Sequence, residues 1–319
     1  MPATPPPPPL LIGIAAGLAA AAASAASYLV ARHHGSRTDG AGLRLLVPAH
    51  VLMGLACLPL VPALWPAAAP PARDWVPPLL QSAGCYLVGQ ACVYAALRRM
   101  PASRLAPLLG LKIAMLAVIV SCLPGEPLDL RQWAAVALAV VAALLMRGGG
   151  DASAGWTAVG GLAIVLVGCL VYAISDLGII GLIDALQRPA EPGVAVPGRL
   201  HAGVLAMAVT YVLCGALALP FMSRAGLRDR RDWTAAAQYA AAWLGGMVAL
   251  YACFGTVGVV FGNILQSTRG IMAVAAGVAL AHAGWHDLEE RVDRATLLRR
   301  LAAAALMTAA ISLYVIDPG

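Results

Sequence analysis

The chain has 319 residues, of which 61% are hydrophobic and only 11% are charged, and its mean hydropathy is +0.82. Soluble globular domains have about a quarter of their residues charged, so this composition excludes a soluble protein and predicts an integral membrane protein. The formal net charge of +6 arises from basic residues scattered over short connections, which argues against a nucleic-acid-binding patch.

The chain begins with a proline-rich tail, residues 1–9, after which long apolar runs recur along its whole length. A helix of about 20 apolar residues is long enough to span a bilayer. No basic residue precedes the first run, which is also long for a signal peptide, so we expect it to stay as the first helix. The connections are too short to hold a soluble catalytic domain. We predict an all-α integral membrane protein with about ten transmembrane helices, at residues 10–32, 43–65, 76–97, 103–122, 131–147, 157–184, 201–222, 233–255, 259–281 and 299–316.

Rare residues recur at a fixed distance in the two halves of the chain. A shift of 157 positions aligns Tyr94 with Tyr251 and Lys112 with Arg269, without a gap. The alphabet of the segments is mostly Ala, Leu and Gly, so the coincidence of these uncommon residues carries more weight than the total number of identities. The pattern therefore predicts an internal duplication.

The first and sixth segments align at a second shift, of 151 positions, which places Ser24 over Ser175. We predict two five-helix repeats, at residues 10–148 and 149–319. Because five is an odd number, the repeats enter the membrane in opposite orientations. By this assignment, the loops after the odd-numbered segments carry fifteen Lys/Arg and the opposite loops carry four. The positive-inside rule then places both termini outside the cytoplasm.

The stretch from Tyr94 to Met146 resembles the EamA-type repeat of the drug/metabolite transporter superfamily. The shared marks are the Ala96-Leu97 end of the third helix, the Pro101-Ala102-Ser103 turn and the Gly125-Glu126 pair that closes the fourth. The second half matches more loosely. The resemblance implies a ten-helix permease of two inverted repeats that moves a small metabolite, with export favoured. It also implies termini in the cytoplasm, opposite to the loop charges, so orientation stays open.

Lys112 is the only lysine, and both Lys112 and Arg269 are placed within apolar segments, Lys112 at the middle of the fourth. A charge inside a membrane is costly and usually faces a cavity. In one hypothesis the two cations form a site for a carboxylate, phosphate or other anion. In the other, one of them pairs with Asp176 and only holds the helices together. The resemblance adds that the sugar-phosphate and nucleotide-sugar branch has phosphate-binding basic residues at similar positions.

Asp176 is the one acid well inside a predicted helix, with Tyr172 four residues before it. It is a candidate proton carrier for coupled transport, and a static counter-ion to Lys112 or Arg269 is the equal alternative. Two cations against one acid leave a positive surplus, which favours an anionic or zwitterionic substrate.

Further candidate binding residues follow helical spacing. Tyr86, Gln90 and Tyr94 are four residues apart, and their repeat partners include Trp243 and Tyr251. Such stripes wall a cavity or form ordinary packing, and both alternatives stay open.

Gln266 and Asn263 lie on the same predicted segment as Arg269 and are also assigned to substrate binding. His50 is expected to be a satisfied buried histidine, and Glu126 to have a structural role near Asp129, where the next helix is capped.

The chain lacks a Cys-x-x-Cys pair, an acidic metal-binding pair and a Walker-type loop. We predict no catalytic residue, metal or cofactor, and a secondary transporter working by alternating access in place of an enzyme. The alternatives are a membrane-embedded transferase acting on a lipid or prenyl substrate, and a non-transporting scaffold.

The expected partners are a small-molecule substrate, the lipid bilayer and protons as a candidate coupling ion, with no nucleic acid. The chain is expected to be a monomer or homodimer. Heavy use of Ala, Gly and Arg is typical of GC-rich bacterial genes, which suggests the bacterial inner membrane.

Overall fold

The computed structural model describes residues 10–35, 41–66, 69–97, 108–123, 128–145, 156–188, 197–225, 229–272 and 294–315. Within these ranges all regular secondary structure is helical, which confirms the predicted fold class. In chain order the helices are α1 Leu10–Gly35, α2 Ala41–Cys57, α3 Leu60–Leu64, α4 Ala72–Leu97, α5 Leu111–Cys122, α6 Leu130–Leu145, α7 Trp156–Leu186, α8 Arg199–Ala218, α9 Met222–Ala225, α10 Arg230–Val257, α11 Val259–Ser267 and α12 Arg294–Val315.

Several of these helices have the length and composition of membrane spans. In the described part of the chain, four helices are long and apolar enough to cross a membrane, at Leu10–Ala31, Gly161–Leu186, Arg199–Ala225 and Arg230–Val257. Four shorter apolar helices accompany them. Large apolar side chains such as Leu11 also lie on the outer surface, where a bilayer removes the cost of exposing them. The chain is therefore a multi-span membrane protein, and the count of ten spans remains a prediction.

Three predicted segments differ from the observed helices. The segment 43–65 divides at Leu58 and Pro59 into α2 and α3, since a proline has no backbone N–H to continue a helix. The segment 103–122 is described from Leu108 onwards, and its helix begins at Leu111 after a turn. The segment 259–281 is interrupted at Thr268, and its residues 273–281 lie outside the described ranges.

Helix α6 begins with a cap that was only partly predicted from the sequence. The Gln132 backbone N–H donates to Asp129 Oδ1 at 2.6 Å, and the Asp129 backbone N–H donates to Gln132 Oε1 at 3.0 Å. This reciprocal pair is a capping box, which satisfies two N–H groups at the helix start. Asp129 and Gln132 thus cap α6 together, and Glu126, which we expected to take part, lies outside the described residues.

Helices from the two halves of the chain pack against each other in matching pairs. α4 packs along α7, and α1 packs along α10. In the numbering of the predicted segments, α4 and α7 are the third and sixth, and α1 and α10 are the first and eighth. Exchanging the third segment with the eighth, and the sixth with the first, therefore turns the α4–α7 pair into the α1–α10 pair. α2 packs against α8, and α6 packs against α12. Each of these pairs joins equivalent segments of the two halves, so the same exchange turns each pair into itself.

The α2–α8 contact is reciprocal at the level of single atoms. A Cβ added to Gly54 would lie 2.9 Å from Gly215 Cα and 3.0 Å from the carbonyl oxygen of Tyr211. A Cβ added to Gly215 would lie 2.9 Å from Gly54 Cα and 2.9 Å from the carbonyl oxygen of His50. Gly54 is four residues after His50, whose carbonyl faces Gly215, and Gly215 is four residues after Tyr211, whose carbonyl faces Gly54. Two glycines let the backbones touch, and the local geometry has an approximate two-fold relation.

Candidate functional site

Lys112 and Asp176 form an ion pair between α5 and α7. The distance from Lys112 Nζ to Asp176 Oδ2 is 2.8 Å, and the two side chains are only 12% and 8% exposed. Asn263 on α11 donates from Nδ2 to the same oxygen at 2.8 Å. Removing two charges from water is expensive unless further hydrogen bonds compensate, and Asn263 supplies one. This is the contact that the static counter-ion hypothesis describes.

The ring of Tyr172 borders the same cluster. Lys112 Nζ lies 5.9 Å from the Tyr172 ring centroid, within the range of a cation–π interaction. The ring fits because position 89 on the facing helix α4 is glycine. A Cβ at Gly89 would lie 2.7 Å from the ring. Four candidates therefore come together: Lys112, Asp176, Asn263 and Tyr172.

Both cations lie beside an interruption of the helix, and this corrects the prediction that Lys112 is at the middle of one. Lys112 is in the first turn of α5, where its N–H donates to the Leu109 carbonyl in a tightened, 3-10-like turn. Arg269 follows the end of α11, where the Thr268 N–H donates in the same way to Leu265. The Thr268 hydroxyl also donates to the Leu265 carbonyl at 2.7 Å, a local bond that competes with the helical ladder.

Arg269 has a different environment from Lys112. Its guanidinium carbon lies 5.7 Å from the ring centroid of Tyr28 on α1. Within the described ranges it forms no ion pair with a carboxylate. Gln266, three residues earlier, is only 5% exposed.

A chain of aromatic rings connects the two cations. From Arg269, the ring of Tyr28 lies 6.2 Å from that of Trp243, and Trp243 lies 6.4 Å from Tyr86. Tyr86 in turn lies 6.4 Å from Tyr172, over which Lys112 is placed. These centroid distances fall in the range of interacting aromatic pairs. We call this set, Tyr28, Trp243, Tyr86 and Tyr172, the aromatic chain.

The two central rings of the aromatic chain have matching partners. Tyr86 Oη lies 3.0 Å from His50 Nε2, and Trp243 Nε1 donates to Tyr211 Oη at 2.8 Å. Tyr86 and Trp243 are 157 positions apart, and their partners lie on α2 and α8, the helices that meet at the reciprocal glycine contact. The centre of the aromatic chain therefore follows the approximate two-fold relation.

His50 is a satisfied buried residue. Its Nδ1 lies 2.7 Å from the Leu46 carbonyl oxygen, which can only accept a hydrogen bond. Nδ1 therefore carries the proton, and in the neutral ring Nε2 accepts the hydroxyl proton of Tyr86.

The remaining candidates lie in different places. Tyr251 is buried on α10, with its Oη 3.5 Å from Ser82 Oγ, and Gln90 is buried on α4. Tyr94 is in the last turn of α4, and its side chain falls outside the described part of the chain. Sequence reasoning missed Tyr28, since its own helix is apolar and only the approach of Arg269 distinguishes it.

Known proteins resemble this chain in sequence over residues 11–148 and in fold over nearly its whole length. Residues 11–148 match the model of the EamA-like transporter family, which is part of the drug/metabolite transporter superfamily and confirms the predicted resemblance. No curated protein sequence matches the chain. One solved crystal structure superimposes with a TM-score of 0.65 over 96% of this chain and 95% of its own, at 15% identity, which shows a shared fold alone.

Proposed function

We propose that this chain, whose residues 11–148 match the model of the EamA-like transporter family, is a secondary transporter of a small anionic or zwitterionic metabolite. It works by alternating access, in which its two halves rock about a site between them. The family match favours a transporter over the membrane transferase and the scaffold that the sequence left as alternatives. The bacterial inner membrane is the proposed location, and export the proposed direction.

One observation carries the proposal: two cations inside a membrane fold lie at the ends of one aromatic chain. Arg269 contacts Tyr28 at one end, and Lys112 contacts Tyr172 at the other. Each cation also adjoins an interrupted helix. Transporters bind substrate at such interruptions, because the backbone there offers polar groups that a continuous helix keeps to itself. Cations and rings together suit a small organic anion.

The pairing of helices supports a two-repeat mechanism. The α4–α7 and α1–α10 pairs exchange under the relation that also exchanges Lys112 and Arg269. Two such halves can adopt each other's conformation, so that the site opens first to one side of the membrane and then to the other. Division into repeats at residues 10–148 and 149–319 is part of this proposal.

Asp176 is the proposed proton-coupling residue of the transporter, and Tyr172, whose ring lies next to Lys112, is a second candidate for that role. Protonation of Asp176 would remove the charge that holds Lys112 at 2.8 Å and would release the ammonium group toward a substrate. Asn263 would remain in place as a donor to the neutral carboxyl. Gln90, Gln266, Tyr94, Tyr251 and Trp243 complete the proposed binding set.

Reconstitution into liposomes tests the proposed function. A panel of labelled anionic, zwitterionic and neutral metabolites is offered to the wild type, Lys112→Ala and Arg269→Ala. We expect uptake or counterflow of at least one charged metabolite, lost in both variants. Arg199→Ala is the matched control, because Arg199 forms an exposed ion pair with Asp184 at 3.0 Å and is not one of the proposed binding residues. Full transport in both cation variants would contradict the proposal.

A further inference from the structure

An open groove lies between α3, α4 and α8, and its volume is about 510 Å³. The lining residues that the structure describes come from α3 and the residue that follows it, from α4, and from one stretch of α8: Val61, Trp65, Trp75, Leu79 and residues between Val209 and Ala216. Because α3 and α4 belong to the first half of the chain and α8 to the second, the groove lies between the halves. It shares no lining residue with the proposed binding set.

The lining of the groove is apolar. Its described residues are valine, leucine, alanine and tryptophan, and the indole N–H groups are the polar atoms of their side chains. A ligand that placed a hydroxyl, amide or charged group against this lining would leave that group without a hydrogen-bond partner, which costs free energy. The part of a ligand that enters the groove is therefore hydrocarbon.

The surface around the groove faces the bilayer. Leu80 follows the lining residue Leu79 and is 57% exposed, and Leu217 follows the lining residue Ala216 and is 47% exposed. In a membrane-spanning chain, exposed leucines of this kind contact lipid. Lipid acyl chains are therefore the hydrocarbon that reaches the open side of the groove.

One end of the groove is next to polar groups. The rings of Trp65 and Trp75 meet edge to face there, with their centroids 5.3 Å apart. The exposed His201 donates from Nε2 to the carbonyl oxygen of Leu64 at 2.7 Å, and Arg73, two residues before Trp75, has an 86% exposed side chain. Tryptophan is enriched where the membrane meets water. This end of the groove therefore lies at the membrane interface, where a lipid has its headgroup.

The other end of the groove lies deep in the membrane. Ala216 is fifteen residues beyond His201 on α8, which is about 22 Å along the helix axis. The hydrocarbon core of a bilayer is about 30 Å thick, and each leaflet supplies about half of it. A lipid chain that begins at the Trp65–Trp75 end therefore extends along most of the groove.

The size of the groove favours a chain of this kind over a protein helix. Its α8 part, from Val209 to Ala216, is about 10 Å long. A helix with its side chains is about 10–12 Å in diameter, so a segment of that length takes up roughly 800 Å³ or more. The groove holds about 510 Å³. A helix of a second copy would cover the groove without filling it, whereas an unbranched hydrocarbon chain is narrow enough to lie inside.

We propose that this groove binds one acyl chain of a membrane phospholipid, with the headgroup at the Trp65–Trp75 end. The site depends on the membrane fold alone and not on the proposed transport function. A chain that enters from the bilayer leaves no water behind, so binding comes from dispersion contacts with the closely packed lining. The bound chain contacts both halves of the protein, because the lining does.

Cross-linking in a bilayer tests the proposed site. The full-length protein is reconstituted in nanodiscs with a phosphatidylethanolamine that carries a photoreactive diazirine on one acyl chain, and the labelled residues are mapped by mass spectrometry. We expect labelling to concentrate on the lining residues, above the level at the exposed Leu80. A diazirine near the carboxyl end of the chain should label the region of Trp75, and one near the methyl end should label the region of Ala216.

Two neighbouring substitutions separate the groove from the general lipid-facing surface. Ala216→Phe places a ring in the groove and should lower labelling of the lining about tenfold, the change expected from the loss of about ten dispersion contacts. Leu217→Phe is the matched control, because Leu217 is exposed and is not a lining residue. Its labelling of the lining should equal that of the wild type.

The thermal transition of each variant shows whether it folds. If Ala216→Phe does not fold, the wild-type map decides alone. Labelling spread evenly over exposed leucines and lining would mean general bilayer contact only, and would overturn the proposal. The same holds for equal labelling of the lining in folded Ala216→Phe and Leu217→Phe, for a reversed order of the two diazirine positions, and for cross-links between two copies of the chain across the groove in place of lipid.

Discussion

Asp176 on α7 accepts from two helices at one oxygen, with Lys112 Nζ of α5 and Asn263 Nδ2 of α11 each 2.8 Å from Oδ2. The fifth and eleventh helices come from different halves of the chain. This single carboxylate therefore contacts both halves of the chain at the proposed site.

Removal of the Asp176 charge should destabilise the protein more than removal of the pair. Asp176→Ala leaves the Lys112 ammonium buried without its counter-charge, which costs about 3–5 kcal/mol in comparable buried pairs. Thermal unfolding in detergent is the measurement. The double variant Lys112→Met with Asp176→Ala should recover much of the loss, because no buried charge remains. A double variant less stable than Asp176→Ala would show that the pair does not behave as a unit.

Asp176→Asn should separate transport from its proton dependence. Asparagine keeps the shape of the side chain and cannot take up a proton, so exchange of substrate across the membrane should persist while a pH gradient no longer drives net uptake. Uptake with and without an imposed pH gradient is compared in liposomes. Asp184→Asn is the control, since Asp184 is an exposed partner of Arg199. Unchanged response to the gradient would assign Asp176 a structural role only.

Gly89→Ala should damage the site by overpacking. The added Cβ would lie 2.7 Å from the ring of Tyr172, so that the ring must move away from Lys112. Overpacking of this kind costs about 1–3 kcal/mol, and transport should fall as well. Gly84→Ala on the same helix is the matched control, because nothing lies within 4 Å of its added Cβ. It should be neutral or stabilising, since alanine favours a helix more than glycine does. Equal effects of the two substitutions would contradict this packing.

The α6 cap should make the start of that helix sensitive to acid. The hydrogen bond from the Gln132 backbone N–H, with Arg131 as a weaker cause, holds the pKa of Asp129 below its usual value of 3.8. A depressed pKa in the folded state means that the ionised cap stabilises the helix above the usual pKa. This contribution is lost as the pH falls through the lower, folded value.

Hydrogen exchange at the first turn of α6, measured across acid pH, checks the prediction about this cap. Asp129→Asn should keep protection without the pH dependence, because asparagine is also a good N-cap and carries no charge. Asp129→Ala should lose protection at every pH. Protection in the wild type that does not change in acid would contradict a charged cap.

Some of the candidate site was readable in the sequence, and some was not. The shift of 157 positions relates Tyr86 to Trp243 and Lys112 to Arg269, because duplicated halves preserve the spacing of uncommon residues. The sequence named Asp176 as a counter-ion but did not show which of the two cations it pairs with. Asp176 is 64 residues away from Lys112 and 93 from Arg269 along the chain, and both distances allow contact in a helical bundle.

The sequence also did not predict the helix interruptions next to Lys112 and Arg269. Apolar composition continues through Leu109 and Leu265, so a hydropathy pattern extends each helix past the turn that precedes Lys112 or Arg269. Backbone hydrogen bonds with the tighter spacing, and the Thr268 hydroxyl, decide where the helix stops. Hydropathy reports preference for lipid and carries no information about that bonding.

The sequence by itself determined that this is a helical membrane protein with two cations, Lys112 and Arg269, inside apolar segments, because these features depend on composition and on distance along the chain. Tertiary structure alone decided that Lys112, and not Arg269, pairs with Asp176, and that the Arg269 guanidinium contacts the ring of Tyr28. These relations depend on which helix faces which and at what height. That register is set by the contacts of glycines such as Gly54, Gly89 and Gly215 with their neighbours, and packing of this kind leaves no periodic signal in the sequence.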